Sequence, residues 1–360
     1  MDRQPHEHHM RRALELARRA SFTSPNPKVG CVLVRDGEVL GEGYHAGTGS
    51  PHAEIVALRS AGESRGATAY VTLEPCTHHG RTPPCVPELI DAGIAVVVVA
   101  IPDPDGRVEG RGLAQLAEAG VDVISGILES EARALNRTYI HHRLTGRPFV
   151  SLKLALSLDG RLAAPDGSAR WITGRGARRI THSRRMEADA VVVGSGTALA
   201  DDPALTVRDV PARRQPARVL VDSRGRTPAS ARLFGTGDVV VVTTDASSHD
   251  VQTGWKETGA EVLVAPRSQQ GVDLEAMLDS LGERGWLELY VEGGGRLATS
   301  LLRADLVDRL DIHHGPVVLG RGGPEIGELG LNAMDDALSW RLLGSESVDD
   351  DVLMSYERVR

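Results

Sequence analysis

Residues 51–60 read PHAEIVALRS, in which a histidine and, two places later, a glutamate lead directly into an apolar helical pattern. A second stretch, LEPCTHHGRTPPC at residues 73–85, follows a strand pattern and carries two cysteines. His52, Cys76 and Cys85 together offer one imidazole and two thiolates, a ligand set that suits zinc. Three protein ligands leave the fourth tetrahedral position open for water, which is typical of catalytic zinc. The two stretches therefore predict a zinc site where a helix begins and a strand ends.

Glu54 is the candidate proton carrier of this site. Its side chain should approach the predicted metal from a different direction than that of His52, so it can take a proton from water and pass it to a leaving amine. Zinc deaminases divide the work in this way, with a glutamate that is not a metal ligand. The alternative is a closed structural zinc site, completed by His78 or His79, in which Glu54 is only a solvated carboxylate in the first helical turn.

Composition limits the classes of function that this 360-residue chain can have. A net charge of −8 and an aromatic content of 3% argue against a non-specific nucleic-acid binder, which needs a basic surface and stacking rings. The longest apolar run, residues 94–101, is too short to span a bilayer, and residues 1–20 lack the apolar core of a secretory signal. We therefore expect a soluble cytoplasmic protein without a membrane partner, and the composition disfavours a nucleic-acid partner without excluding one.

The first half of the chain alternates strand and helix patterns. An amphipathic helix at residues 6–20 precedes two strands joined at Asp36-Gly37, a pair that favours a type I′ hairpin turn. Further strand and helix patterns continue to residue 101 and predict a mostly parallel sheet with helices on its faces. Cys31 lies in the first strand and is interpreted as a small buried residue, because three cysteines are too few for a disulfide framework.

The alternation pauses at Gly146-Arg147-Pro148 and then starts again. We place a boundary there and predict two α/β domains, at residues 1–146 and 147–360. Two glycine turns in the second half follow strands, in VVVGSGTALADDP at 191–203 and YVEGGGRLATSLL at 290–302. Each could bring backbone N–H groups to a phosphate, the second at a helix N-terminus, but neither is the G-x-G-x-x-G fingerprint. Ordinary tight turns are the alternative, so the local pattern leaves the cofactor open.

Three motifs of the first half resemble the deaminase half of the bifunctional riboflavin-biosynthesis deaminase/reductase family. They are SPNPKVG at 24–30, PHAE at 51–54 and EPCTHHGRTPPC at 74–85, in which eight residues separate the two cysteines, as in this family. The resemblance implies a cytidine-deaminase-like zinc domain, with Glu54 as the proton carrier. Its implied zinc ligands are His52, Cys76 and Cys85, and its implied substrate contacts are Asn26, His45, His78, Arg81 and Asp103.

Four motifs of the second half resemble the reductase half of the same family, which is similar to dihydrofolate reductase and binds NADPH. They are SLKLALSLDGRLA at 151–163, WITG at 171–174, GTALADDPALTVR at 196–208 and VEGGGRL at 291–297. The implied cofactor contacts are Ala155, Trp171, Thr197, Asp201, Ser223, Gly293, Gly294 and Gly295. The implied substrate contacts are Lys153, Arg185, Leu205, Arg208 and Glu292.

The chain departs from the family pattern in two places. Asp105 and Gly106 stand where the family usually reads Asn-Pro, and an extra acid would be unfavourable near a phosphorylated substrate, so we expect Asp105 to face away. Ala169 stands where the family often has a serine, with Ser168 beside it, which puts a hydroxyl contact to the substrate in doubt.

The resemblance implies two consecutive steps toward riboflavin. The first is zinc-dependent hydrolytic deamination of 2,5-diamino-6-(5-phosphoribosylamino)pyrimidin-4(3H)-one. The second is NADPH-dependent reduction of the ribosyl chain of 5-amino-6-(5-phosphoribosylamino)uracil to ribityl, in a homo-oligomer assembled through the reductase domain. Two alternatives stay open: a deaminase of nucleic acid, such as a tRNA adenosine deaminase, and a non-catalytic protein whose zinc is structural. The sequence does not decide between NADPH and NADH.

Overall fold

The computed structural model describes residues 4–77, 83–106, 108–320 and 326–360. The chain divides into two compact units, Met1–Gly146 and Arg147–Arg360, and each unit has a hydrophobic core of its own. Within the described ranges, no helix is both long and apolar enough to cross a membrane.

The first unit is built around a five-stranded sheet. Its elements are α1 (Gln4–Arg18), β1 (Gly30–Arg35), β2 (Glu38–Tyr44), α2 (Ala53–Ala61), β3 (Thr68–Val71), α3 (Cys85–Asp91), β4 (Val96–Val99), α4 (Arg111–Glu118), β5 (Asp122–Ser125), α5 (Glu129–Leu135) and α6 (Arg137–Thr145). The strand order is β2-β1-β3-β4-β5, in which β3, β4 and β5 are parallel and β1 is antiparallel to both neighbours. The sheet is therefore mixed, and the expectation of a mostly parallel sheet is wrong, because the hairpin strands precede the strand-helix alternation and pair in the opposite sense.

The hairpin turn and the first helix of this unit form where the sequence predicts them. Asp36 and Gly37 have φ of 54° and 83°, the left-handed values that a type I′ turn requires at both central residues. Helix α1 buries Met10, Leu14 and Ala17, which share one helical face. The predicted helix and hairpin are therefore confirmed.

Helix α2 packs very close to strand β2 because that strand carries two glycines. A Cβ atom at Gly41 would lie 2.4 Å from the carbonyl oxygen of Ala57, and one at Gly43 would lie 2.3 Å from that of Ala53. These distances are far below van der Waals contact, so only glycine permits the approach. The close packing fixes the position of the helix start, where His52 lies.

The second unit is built around a nine-stranded sheet. Its elements are β6 (Phe149–Leu156), α7 (Arg175–Glu187), β7 (Ala190–Gly194), α8 (Ser195–Asp201), β8 (Ala217–Val221), β9 (Val239–Thr243), α9 (His249–Glu257), β10 (Glu261–Val264), β11 (Arg267–Ser268), β12 (Gly271–Val272), α10 (Leu274–Gly282), β13 (Glu288–Val291), α11 (Gly295–Arg303), β14 (Arg309–His314), β15 (Trp340–Val348) and β16 (Asp351–Arg358), with 3-10 helices at Arg232–Phe234 and Met334–Asp336. Strands β11 and β12 form a separate two-stranded ribbon.

The main sheet has the order β10-β9-β8-β7-β13-β6-β14-β16-β15. The strands from β10 to β14 are parallel, and β16 and β15 add an antiparallel hairpin at one end. Loops that leave the carboxyl ends of parallel strands meet at one edge of a sheet, which is where α/β proteins bind their ligands. Here the loops after β7, β8 and β13 meet in this way.

Candidate active sites

The three predicted metal ligands lie together in the first unit. Nδ1 of His52 lies 3.1 Å from Sγ of Cys85 and 3.5 Å from Sγ of Cys76, and all three ligand atoms lie within 4.8 Å of one another. Tetrahedral zinc, with bonds of about 2.0 Å to nitrogen and about 2.3 Å to sulfur, requires nitrogen–sulfur distances of about 3.6 Å. Both the donor set and its spacing therefore fit zinc.

Backbone structure positions each of these ligands. His52 is the residue directly before helix α2, and Cys85 is the first residue of α3. The backbone N–H of Cys85 donates to the carbonyl oxygen of Cys76 at 3.1 Å and contacts its Sγ at 3.4 Å. A hydrogen bond with Cys85 and the nearby His52 lower the pKa of the Cys76 thiol to about 4, which favours the thiolate form that binds a metal.

Glu54 lies in the first turn of α2 and is only 3% exposed. Burial, reinforced by the nearby Cys76, raises the pKa of its carboxyl to about 7. A carboxyl with a pKa near neutrality can both accept and donate a proton at working pH. This environment favours proton transfer and argues against the solvated carboxylate of the alternative interpretation.

Asn26 and His45 lie beside the metal ligands. Nδ2 of Asn26 lies 3.1 Å from Nε2 of His45, and Nδ1 of His45 lies 3.2 Å from the carbonyl oxygen of Pro51. Because a carbonyl can only accept, Nδ1 carries the proton and Nε2 accepts from the amide of Asn26. The ring of His45 is edge-on to that of His52, with centroids 5.6 Å apart. The structure thus brings both predicted substrate contacts to the metal cluster.

Asp103 is buried and held by several partners. Its carboxylate accepts hydrogen bonds from the hydroxyl of Tyr139 at 3.0 Å and from the backbone of Asp105 at 2.9 Å, and burial raises its pKa to about 6. Asp105 is also buried, and its carboxylate lies 3.4 Å from Nε of Arg143, so a cation compensates the extra acid. Two further predicted substrate contacts lie outside the described residues: His78 and Arg81.

Glu74 is a structural residue of this site that the sequence did not reveal. Its buried carboxylate accepts backbone hydrogen bonds from Asp103 at 3.1 Å, Gly110 at 3.0 Å and Gly112 at 2.9 Å. It therefore ties the segment that leads to Cys76 to the loop before α4. Its partners lie far along the chain, so no local pattern distinguishes it from a surface glutamate.

The second unit contains a cleft of about 1230 Å³ between the strand-end loops. All the predicted reductase contacts line it: Lys153, Ala155, Trp171, Arg185, Thr197, Asp201, Leu205, Arg208, Ser223, Glu292, Gly293, Gly294 and Gly295. A volume above the usual upper range of about 1,000 Å³ for small-molecule pockets leaves room for a dinucleotide and a second ligand together.

A charged group of three side chains lies in this cleft. The guanidinium of Arg185 donates two hydrogen bonds to the carboxylate of Glu292, one of them 2.9 Å long from Nη2. Burial and the nearby Arg185 lower the pKa of Lys153, whose ammonium has no hydrogen-bond partner in the described part of the chain. Although burial opposes the effect, Arg185 and Lys153 lower the pKa of Glu292. The carboxylate of Glu292 is thus paired with Arg185 and is influenced by the charge of Lys153.

The two glycine turns lie next to each other at the cleft. Both lead into helices, the first into α8 and the second into α11, and the backbone N–H of Gly294 donates to Oγ1 of Thr197 at 2.9 Å. The prediction that the second turn begins a helix is confirmed. Trp171 is 61% exposed in the cleft, and the guanidinium of Arg178 lies 4.2 Å from its ring centroid.

The departure at Ala169 removes a hydroxyl from the cleft. Ala169 lines the cleft, whereas the hydroxyl of the neighbouring Ser168 donates to the carboxylate of Asp166 at 2.6 Å. Ser168 is not among the residues that line the cleft. The adjacent serine therefore does not replace the missing group.

His182 and Gln215 are further residues that the sequence did not reveal. Nδ1 of His182 accepts a hydrogen bond from the backbone of Arg208 at 3.3 Å. The amide of Gln215 accepts from the N–H of Val207 at 2.7 Å and donates to its carbonyl at 3.1 Å. Burial, with Arg185 and Arg208 nearby, lowers the pKa of His182 to about 4. Both side chains hold the backbone that carries Arg208.

Fold and sites together define a zinc-dependent deaminase domain joined to a nucleotide-dependent reductase domain. Comparison with protein-family models agrees with this class. The cytidine and deoxycytidylate deaminase zinc-binding region matches residues 3–101, and the RibD C-terminal domain matches residues 148–354.

Full-length relatives identify the family. The chain is 44% identical to the riboflavin biosynthesis protein RibD of Escherichia coli over 364 residues, covering 97% of this chain and 98% of that protein. It is 41% identical to RibD of Aquifex aeolicus, covering 99% and 100%. Among solved structures, Acinetobacter baumannii RibD matches with a TM-score of 0.90 at 37% identity and full coverage of both chains.

A Thermotoga maritima diaminohydroxyphosphoribosylaminopyrimidine deaminase/5-amino-6-(5-phosphoribosylamino)uracil reductase matches with a TM-score of 0.87 at 34% identity, covering 99% of each chain. The chain belongs to the RibD family of bifunctional riboflavin-biosynthesis enzymes. It therefore combines a zinc-binding, cytidine-deaminase-like domain with an NADPH-dependent reductase domain. The expected fold class, family and pair of activities are confirmed.

Proposed function

We propose that the two sites act on consecutive pathway intermediates, and that the residues named below perform the chemistry. The substrates are the phosphoribosylated diaminopyrimidine and then the phosphoribosylated aminouracil. The observation that carries the proposal is the buried Glu54 beside the cluster of His52, Cys76 and Cys85. A purely structural zinc site has no need of a buried proton carrier.

In the first site, His52, Cys76 and Cys85 hold zinc, which when bound supplies Lewis-acid activation of water. Glu54 takes a proton from the attacking water and passes it to the 2-amino group. The new carbon–oxygen bond forms, the carbon–nitrogen bond breaks, and ammonia leaves. Asn26 and His45, which are hydrogen-bonded to each other, orient the pyrimidine.

In the second site, NADPH when bound supplies the hydride that reduces C1′ of the ring-opened substrate. Lys153 donates a proton to the ribose ring oxygen as the ring opens, and Glu292 keeps that ammonium charged. Because Arg185 is already bound to Glu292, Arg208 is the principal anchor of the substrate phosphate.

Some of the residues that line the cleft contact the cofactor, and the others contact the substrate. Cofactor contacts are assigned to Ala155, Trp171, Thr197, Asp201, Ser223 and the turn at Gly293–Gly295. Substrate contacts are assigned to Lys153, Arg185, Leu205, Arg208 and Glu292. In the first unit, Asp103, His78 and Arg81 complete the substrate set. We further propose functional domains at residues 1–146 and 147–360, a cytoplasmic location, small-molecule partners only, and a homo-oligomer joined through the reductase domain.

A two-channel assay tests the proposal. Purified zinc-loaded protein is given the diaminopyrimidine phosphate and NADPH, while ammonia and NADPH absorbance are followed separately. We expect ammonia release followed by NADPH oxidation. If the aminouracil phosphate is supplied directly, NADPH oxidation should begin without delay and without ammonia. Ammonia with no NADPH oxidation from either substrate would contradict the reductase assignment.

A further inference from the structure

The loop after strand β8 presents two arginines at the reductase cleft. Arg224 and Arg226 are exposed and both line the cleft. Nη2 of Arg226 donates a hydrogen bond to Oγ of Ser195 at 2.6 Å. Within the described ranges, the Arg224 guanidinium has no hydrogen-bond partner and neither arginine forms a salt bridge. Two cationic groups in one short loop therefore remain available to an anion in the cleft.

The acidic residue of the same loop is turned away from the cleft. Asp222, at the carboxyl end of β8, is fully buried. Its Oδ2 accepts hydrogen bonds from the backbone of Arg226 at 2.8 Å and from the backbone and hydroxyl of Thr227 at 2.7 and 2.8 Å. In Rossmann sheets, which differ from this one, an acidic residue that follows the glycine turn by about 20 residues binds the 2′-hydroxyl of NAD. Here the carboxylate of Asp222 shapes the loop and is not available to a ribose.

The loop is rigid as well as cationic. The hydroxyl of Thr244 donates to the carbonyl oxygen of Ser223 at 2.7 Å, and the indole of the buried Trp255 donates to that of Thr227 at 2.9 Å. Gly225 allows the turn between the two arginines, because its φ of +70° is in the left-handed region. A fixed backbone reduces the entropy lost when the arginine side chains bind an anion.

We propose that Arg224 and Arg226 recognise the 2′-phosphate on the adenosine ribose of the dinucleotide and so select NADPH over NADH. The inference rests on the proposed assignment of the cofactor to this cleft, with Ser223 as one of its contacts. A guanidinium binds a phosphate monoester through two charge-assisted hydrogen bonds, and a nucleotide without that group gains nothing from these side chains. The carboxylate of Asp222 is buried and already hydrogen-bonded within the loop, so it does not compete for the position of the 2′-phosphate.

Binding of adenosine 2′,5′-bisphosphate and of AMP, which differ only in the 2′-phosphate, tests this directly. Calorimetric titrations use the zinc-loaded full-length protein, the variants Arg224→Gln and Arg224→Gln/Arg226→Gln, and Arg213→Gln as the control. Arg213 is exposed and is not among the cleft-lining residues. We expect the single variant to weaken bisphosphate binding about 10-fold and the double variant about 100-fold, as expected for lost charge-assisted hydrogen bonds, with AMP binding unchanged.

Steady-state kinetics with the aminouracil substrate extends the test. The KM for NADPH should rise in the variants by the same factors, while the KM for NADH and the rate of ammonia release stay at the wild-type values. If the double variant keeps the wild-type preference for the bisphosphate, the proposal is overturned although the reductase assignment stands. If the wild-type protein oxidises neither nucleotide and binds neither adenosine phosphate, the reductase assignment itself fails.

Discussion

The two sites of this chain use opposite designs. The deaminase site depends on a few groups: three metal ligands and, among the residues that the structure describes, the buried Glu54 as the carboxyl assigned to proton transfer. The reductase cleft is large and open, and its contacts come from several strand ends. A site that depends on single groups should fail completely after one substitution. A site with distributed contacts should lose function in steps, and each substitution should leave the other site active.

The largest effect should follow Glu54→Gln. Loss of the proton carrier should reduce ammonia release by about 10³-fold, within the range for general acid–base catalysis. Zinc content should remain at one ion per chain, because glutamine leaves the three ligands in place. Glu63→Gln, at an exposed position, is the control. Normal deamination by Glu54→Gln would support a structural zinc site, and a parallel loss of NADPH oxidation would show that the two sites are not independent.

A smaller effect is expected for Glu292→Gln in the cleft. The change leaves the buried Arg185 without its ion-pair partner and removes a negative charge near Lys153. NADPH oxidation should fall by about 10²-fold, the usual effect of removing one preorganised electrostatic group from an active site. The rate of ammonia release should not change in this variant. The control variant Glu283→Gln, at an exposed position, should oxidise NADPH at the wild-type rate. Wild-type reduction by Glu292→Gln would remove this carboxylate from the mechanism.

Two buried histidines should make the stability of the second unit sensitive to acid. Burial lowers the pKa of His182 from 6.5 to about 4 and that of His313 from 6.5 to about 3, both in the second unit. The unfolded chain therefore binds more protons below pH 6.5, so the free energy of unfolding of this unit is at its full value above pH 6.5 and decreases as the pH falls toward 4. At pH 5 the loss should be about 2 kcal/mol for each imidazole.

Tryptophan fluorescence can isolate this effect, because all four tryptophans lie in the second unit. Urea unfolding at pH 7 and pH 5 should show the loss, and His313→Gln should reduce its size. The carboxyl of Asp103, in the first unit, changes the stability in the opposite direction with pH. Its pKa is raised from 3.8 to about 6, so its contribution to stability is lost as the pH rises through 6. An equal transition midpoint at both pH values would contradict the assignment of two neutral buried imidazoles.

The metal ligands and Glu54 were predictable because they lie in two short motifs, whereas the substrate contacts Asn26, His45 and Asp103 came from the family resemblance. The spacing of His52, Cys76 and Cys85 is a strong signal for zinc, and the structure brings these residues within ligand distance. Asp36-Gly37 also acted as the sequence indicated, since two residues with positive φ form a hairpin turn whatever their tertiary surroundings. The supporting residue Glu74 was missed because its partners are distant in sequence.

The direction and pairing of strands were less predictable. Strand β1 pairs antiparallel with β3, a choice that depends on tertiary packing and not on the pattern of either strand. The terminal hairpin of β15 and β16 gave no clear signal, because most of β15 is exposed and lacks a buried alternation. In the cleft, family motifs supplied the contacts, but Arg224 and Arg226 resemble ordinary surface charge until the strand order places their loop.

Reversible removal of zinc tests the central claim of two independent active sites most directly. The protein is treated with a chelator, and ammonia release and NADPH oxidation are measured before and after zinc is restored. Chelation should abolish ammonia release, NADPH oxidation with the aminouracil substrate should continue at the untreated rate, and zinc should restore the lost activity. Ammonia release that survives complete zinc removal, or NADPH oxidation that disappears with the metal, would contradict the independence of the two sites.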